Sequence, residues 1–193
     1  DFALPDGETK SNATLLIESP GGKTIKDNLD HFIKRNMHQQ MCPSCAASAL
    51  LTLQLNAASG GVGHRVGLRG GGPLTTLIKP AADPSAQSTP LWRMLWLNVI
   101  DKDNFDFETP QSDADIFPWL AATRLSDKKG VATMPDDSHP LQMYWGMPRR
   151  IRLQGIIDNT KENAEQCRTC DTCGKTAEHY FTDFRTRNYG VNY

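Results

Sequence analysis

The amino-acid sequence predicts a mixed α+β fold, irregular rather than layered, with a four-cysteine zinc site embedded in it. Three observations carry that expectation. Candidate strands and helices follow one another without the regular βα alternation of a doubly wound sheet. Twelve prolines and fifteen glycines in 193 residues imply long irregular connections. Five cysteines fall in two clusters with C-x-x-C spacing, "MCPSC" and "CRTCDTC", as metal-binding knuckles do. A chain of this length can bury one substantial core.

Taken in order, "ATLLIE" (13–18) reads as a short strand closed by an "SPGG" turn. "TIKDNLDHFIKRN" begins as helix or strand and passes into a polar loop, "KRNMHQQM". From Pro43, "PSCAASALLTLQL" is a helix, with proline at its start and Ala46, Ala49, Leu50 and Leu53 as an apolar stripe. A glycine-rich stretch follows, then "PLTTLI" as a strand. "STPLWRMLWLNVI" predicts a second helix, capped by Ser88 or Thr89, with Pro90 in its first turn and Leu91, Met94, Leu95 and Val99 toward the core. Residues 101–115 and 125–140 read as loops, while "RRIRLQGII" and "HYFTDF" alternate as strands. Trp92, Trp96, Trp119 and Trp145 are expected in the core or an interface rather than as stacking platforms. No apolar run approaches the roughly 18 residues of a membrane span. The start lacks the basic flank and apolar core of a signal peptide, so a cytoplasmic location is expected. It also lacks an initiator methionine, which suggests a piece of a longer chain.

The formal net charge is −1, which argues against a generic nucleic-acid binder, but the charges are segregated. From His31 to Ala82 there is no Asp or Glu, while Lys34, Arg35, Arg65, Arg69 and Lys79 contribute +5. Between Asp101 and Asp115 six acids face the single Lys102. Such segregation points to an anionic partner, or to two solvated faces of opposite sign. Arg149, Arg150 and Arg152 suit contact with RNA or a neighbouring subunit as well as an exposed salt-bridged face.

Each C-x-x-C turn can aim two sulfurs at one ion, and two turns supply the four thiolates of a closed tetrahedral zinc site. In the second cluster Cys170 and Cys173 form the expected pair, because Gly174 follows and can take the positive φ of a knuckle turn; Cys167 is then spare. The zinc would be structural, joining distant parts of the chain at Cys42, Cys45, Cys170 and Cys173. Buried free thiols, disulfides and a redox dithiol at "CPSC" are the competing readings. A zinc deaminase is excluded, since it needs His-x-Glu and neither His31 nor His38 has Glu two places on.

The stretch "GGVGHRVGLRGGG" fails both phosphate-loop templates. Gly61 and Gly63 begin G-x-G-x-x-G, but Val66 occupies the last position, and Gly67 is followed by Leu68 rather than Lys. What remains is a loop with exposed backbone N–H groups beside His64, Arg65 and Arg69. It fits a sugar-phosphate backbone or minor groove, and equally a tight crossover in a core.

Several segments together resemble one family. "SPGGKTIKDNLDHFIKRN", "CPSCAASALLTLQLNAASGGVGHRVGLRGGGPLTTLI", "WRMLWLNVI", "YWGMPRRIRL" and "CDTCGK…RNYGVNY" are similar, in the same order, to the large (CasA-type) subunit of the type I-E CRISPR surveillance complex, Cascade. The resemblance implies that residues 1–193 are part of that subunit's irregular N-terminal domain, with knuckles at 42–45 and 167–174. Its first portion and its C-terminal four-helix bundle then lie outside this chain. It implies a non-enzymatic subunit that recognises the protospacer-adjacent motif in duplex DNA, helps start R-loop formation, and offers a platform to the effector helicase-nuclease. Other Cascade subunits, crRNA and target double-stranded DNA are the implied partners, with no membrane; protein reads the short motif and base pairing reads the rest.

Residue by residue, the loop beginning Phe32, Ile33 and Lys34 and running to Met41 matches the family's loop near the guide's 5′ handle. Ser59, Gly60, Gly61, Val62 and Gly63 match its minor-groove glycine loop, and Cys42, Cys45, Cys170 and Cys173 match its zinc ligands. The family's minor-groove lysine is replaced here by Arg185 or Arg187. Its duplex-splitting wedge falls beyond residue 193. The alternatives in other classes are a thiol–disulfide oxidoreductase using "CPSC" and a purely structural zinc scaffold.

Overall fold

A three-stranded antiparallel sheet, ordered β1-β3-β2, is the frame on which the rest is hung. The computed structural model describes residues 4–16, 19–32, 37–67, 78–81, 89–105, 107–126, 129–157 and 169–192. The central strand β3 (His179–Arg187) pairs on one side with β2 (Arg150–Ile157) and on the other with the short β1 (Glu8–Ser11). Both longer strands are the expected ones. β1 is not: of "ATLLIE" the described residues 13–16 form no strand, since residues 12–15 turn in a 3-10 helix that buries Asn12 and Leu15 completely. The Thr14 hydroxyl donates to the Ser11 carbonyl at 2.7 Å, a local bond that bends the chain away from the sheet. The polar segment Glu8–Ser11 takes the free edge of β3 instead. A bulge at Gln154/Gly155 shifts the β2 register, and a Cβ at Gly155 would lie 3.1 Å from the Phe181 ring and the Tyr180 carbonyl, so the bulge uses a glycine.

After the five-residue α1 (Gly22–Lys26), the expected helix appears as α2 (Pro43–Asn56), with proline in its first turn. Ala46 is fully buried, and Ala49, Leu50 and Leu53 are half-buried. Its first turn packs into a core of Met41, Cys42, Ala46, Cys170 and Tyr180, with Leu153 and Phe181 alongside.

The second helix, α3, is shorter than its sequence implies, covering only Leu91–Trp96. Pro90, not Thr89, sits at its N-cap, and no side chain caps it; Ser88 is outside the described residues. Asn98 ends it: its amide donates to the carbonyls of Met94 and Ile78 and its oxygen accepts from the Ile78 N–H, a competing bond set that a helix cannot continue through. The expected inward face is turned out, with Leu91 65% exposed and Leu95 and Val99 also exposed. Trp92 and Trp96 meet edge to face at 5.1 Å, both exposed. Trp145 is half-buried and joins Phe117 and the more exposed Trp119 in an aromatic cluster. The acidic segment is not all loop: it holds a 3-10 turn at Lys102–Asn104 and α4 (Asp113–Ile116), started by a Ser112–Asp115 capping box. Among the described residues of 125–140 the chain is loop, as expected, but for a 3-10 turn at Pro135–Asp137 and the start of a 3-10 helix at Pro140. The "PLTTLI" strand lies outside the described residues except for Ile78, which is exposed and outside any strand. No helix among the described residues is long and apolar enough to cross a membrane.

Candidate metal centre and nucleic-acid interface

Cys42 stands at the N-cap of α2 and Cys45 in its first turn, so the helix start aims both sulfurs one way. The partner knuckle is a tight turn at 171–173. Gly174 follows at φ +71°, its N–H donating to the Cys170 carbonyl at 2.8 Å; this is the left-handed position its sequence anticipates. The turn is closed behind by a bridge between Thr169 and Thr176. Gln40 then ties the two knuckles together. Its N–H donates to the Asp171 carboxylate at 2.9 Å, its carbonyl accepts from the Asp171 N–H at 3.0 Å, and its amide reaches the Thr169 carbonyl. The pairing of Met41 with Phe181 docks the same segment on β3.

The four sulfurs of Cys42, Cys45, Cys170 and Cys173 all lie within 4.8 Å of one another and all are free thiols. Cys42 and Cys173 sulfurs are 3.8 Å apart; a tetrahedron with zinc–sulfur arms of about 2.3 Å has edges of about 3.8 Å. The Cys42 N–H donates to the Cys170 sulfur at 3.3 Å, a bond that favours thiolate. Burial raises the Cys170 thiol, but the N–H groups of Cys42, Cys173 and Thr172 outweigh it and bring it down to about 6. Cys45 moves the other way, to about 12, through burial and the neighbouring thiols. Four thiols crowded into one space cannot all ionise without a cation between them, and a soft all-sulfur donor set suits zinc. Cys42 is only 6% exposed, a poor position for a nucleophilic redox thiol. Cys167 lies outside the described residues.

At the far end of α2 the chain enters the glycine loop. The Gly67 N–H donates to the Ala57 carbonyl at 2.8 Å and closes its base. A Cβ at Gly67 would meet the Gln54 and Leu55 carbonyl oxygens at 2.5 Å. Inside, the His64 N–H bonds the Gly61 carbonyl at 3.1 Å, with Gly61 at φ +132° and Gly63 at φ +74°. The loop is moored to the end of β3: the Tyr189 N–H donates to the Gly63 carbonyl at 2.8 Å and the Asn188 amide to the Val62 carbonyl at 2.6 Å. Ser59, Gly60, Gly61 and Val62 nonetheless remain exposed, Val62 by 81%. The loop is held and presented at once.

Beside Gly63 lies a groove of about 300 Å³ with Lys10, His64, Arg149 and Arg187 on its walls; Lys10 pairs with Glu8 at 3.3 Å, and no acidic side chain lines the groove among the described residues. Burial, then Arg149 and Lys10, hold the His64 pKa below its ordinary value. Arg187 is exposed at the rim, 3.7 Å from the Asp6 carboxylate. Arg185 is half-buried and reaches the Pro5 carbonyl at 3.5 Å. Both arginines thus meet the N-terminal segment, and Arg187 also lines the groove beside Gly63. Phe32 is fully exposed; Ile33 and Lys34 lie outside the described residues.

Two supports went unread in the sequence. The buried Gln54 of α2 pairs with the Arg149 main chain as a strand would, donating to its carbonyl at 2.7 Å and accepting from its N–H at 3.0 Å. The Arg149 guanidinium in turn donates to the Ala58 carbonyl. Tyr189 takes φ +64° to receive Gly63. A mid-helix glutamine carries no sequence signal for such a role; the tyrosine's proximity to glycine and asparagine is the nearest hint.

No individual curated protein matches the chain. The profile of the family described as CRISPR-associated protein Cse1 matches residues 3–193, nearly the whole length. The chain accordingly belongs to the CRISPR-associated protein Cse1 family, that of a type I-E CRISPR Cascade subunit.

Proposed function

We propose that this chain is part of the N-terminal domain of its subunit and recognises the protospacer-adjacent motif in target duplex DNA without being an enzyme. In this reading Ser59–Gly63 enters the minor groove, with Arg187 as the accompanying cation. The observation that carries it is the glycine loop itself: anchored at its base and on Asn188 and Tyr189, yet exposed beside a groove walled by Lys10, His64, Arg149 and Arg187. Arginine suits a narrow minor groove, and a loop without bulky side chains can approach the backbone closely. Cys42, Cys45, Cys170 and Cys173 would hold one structural zinc that fixes the start of α2. Other Cascade subunits, crRNA and the effector helicase-nuclease are the partners this role requires, and opening of the bound duplex for R-loop formation follows recognition.

The test uses the assembled complex with Gly60→Val. Gly60 has an ordinary φ, and the nearest atom to an added Cβ is His64 Nδ1 at 3.5 Å, so the fold tolerates the change. Binding to motif-bearing duplex should fall about tenfold or more, the scale of a lost groove contact, with zinc content of one per chain retained. Unchanged binding refutes the minor-groove role, and absence of zinc refutes the tetrathiolate site.

A further inference from the structure

Of the basic residues that wall the groove beside Gly63, only His64 gains or loses its charge near neutral pH. Its N–H bonds the Gly61 carbonyl at 3.1 Å, and its ring lies against the loop, since an added Cβ at Gly60 would stand 3.5 Å from Nδ1. The ring therefore borders both the exposed tip of the loop and the groove.

Charged and polar groups face it from every side. Lys10 comes from β1, paired at 3.3 Å with Glu8, and Arg149 stands just ahead of β2, its guanidinium donating to the Ala58 carbonyl. Arg187 shares the groove from the end of β3, 3.7 Å from Asp6, and the Asn188 side chain hydrogen-bonds the ring. Arg65, the next residue, is engaged elsewhere, its Nε–H donating to the Ser126 hydroxyl at 2.8 Å and its guanidinium over the Tyr189 ring. Burial, Arg149 and Lys10 disfavour a proton on His64, against Asn188 and Glu8, which favour one. An anion in the groove reverses that balance: an opposite charge within about 4–6 Å moves a pKa by about 1–3 toward the charged form. The neutral ring has one N–H to offer and the imidazolium two, so protonation supplies a donor beyond the Asn188 bond.

We propose that the groove seats a backbone phosphate of target duplex DNA, and that His64 takes a proton from solvent as the phosphate arrives and donates to it. The proposal rests on the reading of the glycine loop given above and deepens it. A minor groove is only about 6 Å wide, so a duplex that receives Ser59–Gly63 brings its flanking phosphates to the residue that follows Gly63. The complex then holds more proton than the free protein. Affinity rises as pH falls, by up to about tenfold per pH unit between the free and bound pKa values of the ring, and levels off outside them.

The experiment is calorimetry of duplex binding by the assembled complex, at fixed salt and about pH 6.5, in buffers of different ionisation enthalpy, which counts the protons exchanged. Wild type should take up about half a proton more per duplex than His64→Gln. Its affinity should also gain about three- to tenfold more than the variant's between about pH 7.5 and 6. His64→Lys, charged throughout, should lose the extra uptake and bind at least as tightly as wild type at about pH 7.5. His64→Asn stands in for a glutamine variant that does not assemble. Equal proton uptake by wild type and His64→Gln overturns the proposal, including the case in which crRNA already fills the groove. Gly60→Val keeps the two ideas apart: weakened motif binding together with equal uptake sinks the role of His64 alone, whereas unchanged binding sinks the loop reading.

Discussion

The glycines of the loop are not equivalent, and alanine at Gly63 separates packing from contact. Gly63 sits at φ +74°, and a Cβ there would lie 2.8 Å from two atoms of the Tyr189 ring and 2.9 Å from the Asn188 Cβ. The left-handed backbone costs an alanine about 1–2 kcal/mol, and overpacking against a moored neighbour about 1–3 kcal/mol more. Partial yielding of the Tyr189 ring brings the total to about 2–4 kcal/mol. In a chain of this size each kcal/mol moves the melting temperature by about 2–4 °C, so Gly63→Ala should melt roughly 5–15 °C lower. Gly60→Ala is the control: with no positive φ and 3.5 Å of clearance, it should be neutral or gain up to about 1 kcal/mol. Equilibrium urea denaturation measures both. If Gly63→Ala stays within about 0.5 kcal/mol of wild type, the mooring of the loop on Tyr189 is not what holds it.

Two other changes probe the supports. Gln54→Leu strands the Arg149 N–H and carbonyl that its amide satisfies, and should cost about 2–4 kcal/mol in the same denaturation assay; a loss below about 1 kcal/mol would show that water replaces the amide. His64 gives a pH signature. Its folded pKa lies below the ordinary 6.5 through burial, Arg149 and Lys10. The neutral ring thus contributes stability in full above about pH 6.5, and that contribution drains as pH falls through the lowered folded value. His64→Gln should therefore show a shallower fall in urea midpoint than wild type between about pH 7 and 5, and parallel curves would refute the burial argument.

How far the sequence led depended on the kind of information each feature carries. The start of α2 and the two knuckles were legible because proline, cysteine spacing and Gly174 act locally. β2 and β3 were legible through alternation. β1 was not, because an edge strand of four mostly polar residues takes its register from β3 and needs no apolar pattern of its own. The inward face expected for Leu91, Leu95 and Val99 was misread for a different reason: periodicity reports that a face is apolar, not which surface covers it. The site divided likewise. The thiols could be assigned by spacing, whereas Gln54, Asn188 and Tyr189 act through contacts across the fold that leave no local trace.

Helix α2 has its first turn in the thiol cluster and its last turn under the glycine loop. Its fourteen residues span about 21 Å as a single rigid strut. Oxidation of Cys42 with Cys45, or any other change in how the four thiols are held together, would therefore be felt at the opposite end, where Gln54, Ala57 and Ala58 carry the base of the loop. The position of the loop would then answer to the state of four thiols about 20 Å away that it never touches.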